Sequence, residues 1–243
     1  MAYEQLGELV ARSRHVVFFG GAGVSTESGI PDFRSAAGLY RARQAYGAPP
    51  ETLLSRGFFL RRPEVFFRYY RENLVHTQAR PNRCHRALAA LERAGKLTGV
   101  ITQNIDGLHQ MAGSRAVWEL HGSIHRNHCM ACGRAYPLQA VLDAPGVPTC
   151  ACGGIIKPDV VLYGEPLDED TLRGAQRALE RSDLLIVGGT SLAVYPAAAL
   201  VEAYGGPLAL INRDATPQDN RADLVLHADL GEAMKQFLPA TPL

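Results

Sequence analysis

Five short runs in this sequence are apolar at nearly every position: VVFFG at 16–20, LTGVI at 97–101, LLIVG at 184–188, LALI at 208–211 and LVL at 224–226. A strand with one wet face alternates apolar and polar residues, so a run without alternation describes a strand covered on both faces. A weaker run, AVWEL at 116–120, joins the set. Helical patterns lie between these runs. Residues 4–14 place Leu6, Leu9 and Val10 on one face, and 81–95 opens on Pro81 and Asn82 and closes on Gly95. Residues 168–183 carry acids in the first turn and cations later, as the helix dipole favours, and 196–206 is another helical stretch. Strands alternating with helices predict an α/β fold with a Rossmann-like parallel sheet.

Two stretches break the rhythm. The span between VVFFG and LTGVI is much longer than an ordinary crossover and contains a helix-like piece at 63–75; the second break, 122–158, holds four of the five cysteines. Two insertions into one sheet predict a small helical and zinc-binding domain from residues 39–79 and 122–158. A large Rossmann-like domain is expected from 1–38, 80–121 and 159–243.

The chain is 47% apolar over 243 residues, enough for a substantial core. Its 25 Lys and Arg nearly balance 24 Asp and Glu, which gives no reason to expect nucleic acid or an anionic membrane as partner. The first eight residues contain acids and no apolar signal core, and no apolar run is long enough to span a bilayer. A cytoplasmic location is expected.

GGAGVS at 20–25 follows the first strand directly, where a nucleotide phosphate can meet backbone N–H groups. A plain strand-to-helix turn reads the same way. Dehydrogenases place an acidic residue at the end of a second strand about 20 residues on. Here that region is ESGIPDFRSAAGLYRARQ, with no strand pattern, so a hydride-transfer site is not indicated. The loop carries Asp32, Phe33 and Arg34, an aromatic face and a cation suited to a ring and a phosphate, or else a core residue and a surface charge.

LTGVI runs into TQNIDGLH, which sets Gln103, Asn104 and Asp106 at the carboxyl end of a strand, where open parallel sheets bind ligands. An Asx turn ending the strand is the plainer reading of Asn104 or Asp106 alone. AVWEL ends in His121 and Gly122, a candidate general base beside a glycine that lets a ligand approach. His15, His76 and His85 read as surface or packing residues, while His125 and His128 flank the cysteines and could substitute as metal ligands, although four cysteines already suffice. The chain has no Gly-x-Ser-x-Gly elbow and no His-Glu-x-x-His helix, so neither a serine triad nor a catalytic zinc is indicated.

Cys129 and Cys132, then 17 residues, then Cys150 and Cys152, match a closed four-thiolate zinc site with no position for a reactive water. The second pair is one residue tighter than the usual spacing. A redox dithiol is the competing reading. Cys84 lies in a helical pattern and reads as a small buried hydrophobe.

Taken together, these motifs resemble one family, the sirtuins. GAGVSTESGIPDFR (21–34) is similar to their cofactor loop; QNIDGLH (103–109), HG (121–122), the four cysteines, KPDVVLYGE (157–165), GTSL (189–192) and INRD (211–214) follow in the family's order. The resemblance implies an NAD-dependent protein-lysine deacetylase with NAD as co-substrate, one structural zinc and acetylated lysine in proteins as its partner. It implies that Gly21, Ala22, Gly23, Thr26, Phe33, Arg34, Gln103, Gly189, Thr190, Ser191 and Asn212 contact NAD, with Leu230 near the adenine. Asn104, Ile105 and Asp106 would line the ribose and nicotinamide pocket, and His121, with Asn104 and Asp106, would carry catalysis. Val160, Val161, Leu162, Tyr163, Gly164, Glu165 and Val194 would pair with the substrate peptide as an added strand.

The implied reaction joins the acyl oxygen to the nicotinamide-bearing ribose carbon, releases nicotinamide, and ends in free lysine and O-acyl-ADP-ribose. Family members that prefer succinyl-lysine carry a Tyr-x-x-Arg pair on a small-domain helix. An ungapped alignment puts Phe67 and Tyr70 there, with no Arg to hold a carboxylate, so acetyl is expected over succinyl. Two other readings use the same motifs: protein ADP-ribosyl transfer in the same pocket, and a non-catalytic NAD-binding sensor.

Overall fold

The computed structural model describes residues 2–32 and 36–239. The chain opens with α1 (Ala2–Arg12) and enters β1 (Val16–Gly20). Two 3-10 turns, Ala22–Val24 and Thr26–Ser28, follow; then come α2 (Ala36–Tyr46), α3 (Pro50–Leu53), α4 (Arg56–Arg61) and α5 (Pro63–Asn73). The chain returns through α6 (Arg83–Arg93) to β2 (Leu97–Thr102), α7 (Leu108–Ala112) and β3 (Val117–Glu119). The second excursion is β4 (Gly122–Cys129), β5 (Ala135–Pro137), α8 (Leu138–Leu142) and β6 (Ile156–Val160). Then follow α9 (Glu169–Glu180), β7 (Leu184–Gly188), α10 (Ala197–Glu202), β8 (Leu208–Ile211), β9 (Leu224–Leu226) and α11 (Leu230–Met234).

Six strands form one parallel sheet in the order β3-β2-β1-β7-β8-β9. The strand order reverses between β1 and β7, which makes that junction the switch point where such sheets bind ligands. A separate antiparallel sheet runs β5-β4-β6. All six sheet strands coincide with the apolar runs of the sequence. The three antiparallel strands carry no such run, since β4 reads GSIHRNHC and mixes exposed and buried positions without strict alternation.

The burial of β1 explains its unbroken apolar character. Val16 and Phe18 point into a cluster with Leu6, Leu88 and Met234 of α1, α6 and α11. Val17 and Phe19 point into the opposite cluster with Ala178 of α9 and Val201 of α10. Burying each such side chain contributes roughly 1.5–3 kcal/mol, so the sheet is held from both sides. A third cluster joins Leu53, Phe59, Phe66, Phe67 and Tyr70 of the helical excursion to Ile124, Ile156 and Val160 of the small sheet. The helices that interrupt the sheet are therefore packed on the strands of the second interruption.

Helix α6 starts where its sequence says. The Asn82 side chain accepts from the backbone N–H groups of Cys84 and His85, and the Asn82 amide donates to Val24 O at 2.7 Å. One residue thus caps the helix and pins the turn that follows β1. Among the described residues no helix is long and apolar enough to cross a membrane.

Candidate active site

Three strands end level with one another at the switch point: Gly20 pairs with Thr102 on one side and with Gly188 on the other. The segments that leave them, GAGVS, QNIDG and GTSL, therefore start from one edge. They are locked together by backbone contact. Gly23 N–H donates to Gly189 O at 2.8 Å, and a Cβ on Gly23 would lie 2.7 Å from Gly189 Cα. The glycine at 23 is therefore required by a neighbouring turn, in addition to any phosphate it admits. Gly21 is closed off in the same way by Thr190 and Gln103.

The cavity at this edge is lined by Ala22, Ser25, Ile30, Pro31, Gln103, Asn104, Ile105, Asp106 and His121 on the side of the parallel sheet. Leu54, Asn73, Leu74, Val160 to Glu165, Leu167, Val194, Tyr195 and Pro196 complete it. Of the residues singled out from the sequence, Ala22, Gln103, Asn104, Ile105, Asp106, His121, the segment Val160, Val161, Leu162, Tyr163, Gly164, Glu165, and Val194 all meet here. Gly21, Gly23, Gly189 and Thr190 lie behind this wall; Thr190 Oγ donates to Gln103 Oε1 at 3.0 Å. Thr26 turns its hydroxyl back to Gly23 O, and Asn212 bonds to Asp214 O. Ser191 is exposed beside them, and Leu230 is buried in the core against Gly188. Phe33 and Arg34 lie outside the described residues.

Ser25 was not singled out from the sequence, yet it is the centre of the polar network. Asn104 donates to Ser25 Oγ at 3.0 Å, and Ser25 Oγ donates to Asp106 Oδ2 at 2.6 Å. Asp106 Oδ1 accepts the Leu108 N–H at 2.9 Å. Burial raises the Asp106 carboxyl above the usual carboxylate range, and the bonds from Ser25 and Leu108 oppose that shift. Nothing in a single serine of a loop announces this role; only the fold brings it within reach of residues 81 positions away.

His121 Nδ1 lies 2.9 Å from Gln103 O. A carbonyl oxygen only accepts, so this contact assigns the proton to Nδ1 and leaves the basic lone pair on Nε2. The glycine after it has another purpose than the one expected. Gly122 has φ +76, and a Cβ there would sit 1.7 Å from Asp159 O. It is the β6 backbone, rather than a ligand, that needs the space. Val161 N–H donates to His121 O at 3.0 Å, so the histidine's own backbone carries the segment that faces it across the cavity.

Gln103 Nε2 is buried without a hydrogen-bond partner among the described residues. A buried amide donor without a partner costs about 1–3 kcal/mol, and a bound acceptor group in this cavity would remove that cost. The α5 register also differs from the sequence expectation. Phe67 and Tyr70 are wholly buried in the core, while Asn73 and Leu74, one turn later, line the cavity. Arg71 is turned away to Val141 O and Gly146 O, and Arg68 lies over the Tyr46 ring.

At the far end of β4, the sulfurs of Cys129, Cys132, Cys150 and Cys152 all lie within 4.8 Å of one another. Cys129 and Cys152 are 3.5 Å apart and Cys132 and Cys150 3.7 Å, too long for disulfides at about 2.05 Å and suited to four Zn–S bonds of about 2.3 Å. The Cys150 thiol is pushed down to about 6 by the Cys152 backbone N–H and then by the Tyr136 hydroxyl, which favours the thiolate a metal needs. The short Cys-x-Cys spacing is thus compatible with a tetrahedral set. Zinc there would be saturated by sulfur and would serve as a structural brace.

The comparisons with known proteins agree with this geometry. The Sir2 family pattern matches residues 21–196, and the chain belongs to that family. It is 59% identical to an NAD-dependent protein deacetylase of Cutibacterium acnes, over 96% of each chain, and 53% identical to one of Clostridium perfringens, over 96% of this chain and 97% of the relative. Among solved structures it resembles a Sir2 histidine-to-alanine variant with a deacetylated p53 peptide and 3'-O-acetyl ADP ribose. That likeness has a TM-score of 0.88 and 38% identity, covering 97% of both chains. It also resembles a Sir2 homolog–NAD complex, with a TM-score of 0.86 and 40% identity, over 96% of this chain and 91% of that one.

Two expectations follow. Because the Asp106 carboxyl is raised, its ionisation is harder in the folded state than in the unfolded chain, so it takes stability away as pH rises from about 4 through its folded pKa. Asp106→Asn removes that penalty. Urea unfolding should show the variant gaining on the parent between pH 4.5 and 7.5 while turnover falls by about 100-fold; a gap independent of pH would contradict the burial argument. Cys132→Ala should lose stoichiometric zinc by atomic absorption and lower the thermal midpoint by about 10 °C or more. One zinc per chain in that variant would rule out the four-thiolate set.

Proposed function

We propose that this chain is an NAD-dependent protein-lysine deacetylase that transfers the acetyl group of acetyl-lysine to ADP-ribose. The observation that carries the reading is the polar network Asn104–Ser25–Asp106 facing His121 at the switch point of the sheet. Bound NAD would supply a glycosidic bond whose cleavage releases nicotinamide and opens the ribose carbon to the acetyl oxygen. The remaining work belongs to the chain. Ala22, Gln103, Asn104, Ile105 and Asp106 would hold the ribose and nicotinamide end, with Gln103 Nε2 offering its unused donor. Gly21, Gly23, Thr26, Gly189, Thr190, Ser191, Asn212 and Leu230, with Phe33 and Arg34, would serve the rest of the dinucleotide. His121 Nε2 would take the proton of a ribose hydroxyl as that oxygen attacks the acetyl carbon.

The peptide would lie between Val160–Glu165 and Val194, all of which line the cavity. The acyl end would meet Leu54, Leu74, Ile105 and Leu162. No arginine of α5 lines this space, so a succinyl carboxylate would be buried without a cation, and acetyl is preferred. Protein substrates of this kind fit the deacetylated p53 peptide present in the related structure.

One experiment covers the reading. Incubating the protein with NAD and an acetyl-lysine peptide should yield nicotinamide, free lysine and O-acetyl-ADP-ribose by mass spectrometry. His121→Ala should lower turnover by about 10²–10⁴-fold with zinc and fold retained. A succinyl peptide of the same sequence should react more slowly. ADP-ribosylated protein in place of O-acetyl-ADP-ribose would move the function to ADP-ribosyl transfer, and NAD binding without nicotinamide release would leave a sensor.

A further inference from the structure

Among the described residues, Lys157 is the only lysine or arginine that is buried, at 8% exposure. It sits in β6 just before the segment 160–165. Its ammonium meets three acceptors: Pro158 O at 3.1 Å, Val160 O at 3.0 Å and Glu165 Oε2 at 3.1 Å. Two of these contacts are hydrogen bonds to carbonyls and the third is an ion pair, so the buried charge is compensated on both counts. Glu165 Oε2 also accepts the Leu162 N–H at 2.9 Å, and Glu165 N–H donates to Leu162 O at 2.9 Å. Lys157 therefore grips Val160, where the cavity-lining segment begins, and Glu165, where it ends. Lys157 itself does not line the cavity.

The geometry points to Lys157 as a positioning residue for peptide capture, holding the 160–165 segment in the shape that receives the substrate backbone. This rests on the deacetylase reading above. The need for lysine is geometric. A compact ammonium can converge on two carbonyls and a carboxylate within one turn, whereas a planar guanidinium spreads its donors in a rigid fork. Removing the cation alone would leave Glu165 with its side chain only 18% exposed and without its charge partner, so the segment would have to open to hydrate it. Opening would disturb Val161, which is bonded to His121 O, and Tyr163, which exchanges hydrogen bonds with Leu54 and Arg56. The dinucleotide side is built on other elements and would be spared.

The test compares two substrates of different reach: an acetylated peptide with flanking residues, and acetyl-lysine blocked at both ends, which has no flanking backbone to pair. Lys157→Met should lower kcat/KM for the peptide by about tenfold, mainly through KM, and change KM for NAD and kcat/KM for blocked acetyl-lysine by less than about twofold. Lys157→Arg should not restore the peptide. Lys157→Met/Glu165→Leu removes both charges and should recover part of the peptide's KM; it carries the same comparison if the single variant does not fold. A parallel loss on both substrates, or full rescue by arginine, would overturn the assignment, because a purely structural cation acts equally on both. Fluorescence anisotropy of a labelled acetyl peptide reads the segment without turnover. Tight binding to the parent and weak binding to Lys157→Met would uphold the clamp even if no NAD were split. Equal binding to both would reject it whatever the chemistry.

Discussion

The level ending of β1, β2 and β7 is the constraint on which the site depends. Parallel strands in register deliver three loops to one place, and the Gly23–Gly189 contact joins two of them at van der Waals distance. Everything polar in the cavity is then a matter of short reach. Ser25 needs only its hydroxyl to connect Asn104 and Asp106, and Gln103 needs only its carbonyl to orient His121. Were the edge staggered by one residue, the pleat would turn these side chains to the opposite face.

The second sheet is coupled to the first through continuous backbone, and Arg126 of β4 also reaches Glu119 of β3 at 2.7 Å. His121 is followed at once by β4, whose first residue, Gly122, is pressed against Asp159 of β6. The same strand ends at Cys129, a member of the thiolate cluster. One continuous strand of eight residues therefore runs from the residue after His121 to the thiolate cluster, and the third hydrophobic cluster fastens α3, α4 and α5 across it. The cluster thus stands at the end of this strand away from His121, where a zinc saturated by sulfur would brace the fold.

The sheet was legible because strands buried on both faces leave an unmistakable apolar run, and helix α6 because its cap and its stop are local signals. The four cysteines were legible because metal ligands are few and spaced by knuckle geometry. The small sheet was not, since β4 and β6 draw their stability from pairing and from the α5 aromatic residues, which are remote in sequence. Ser25 and Lys157 escaped for a related reason: a serine in a turn and a lysine before a proline acquire meaning only from acceptors that folding supplies. An ungapped alignment puts Phe67 and Tyr70 at the Tyr-x-x-Arg positions, yet both are buried in the core, and Asn73 and Leu74, one turn on, line the cavity instead. The purpose of Gly122 was also misjudged, because sequence shows that a side chain is missing without showing what occupies its place.

The contact between Gly122 and Asp159 O has a corollary for what substitution can change. Where a junction is set by main-chain atoms touching main-chain atoms, no exchange of side chains adjusts it gradually. Adjustment is open instead at the cavity lining, at residues such as Asn73, Leu74 and Tyr195. A scaffold so divided can be given new tastes without being taught a new reaction.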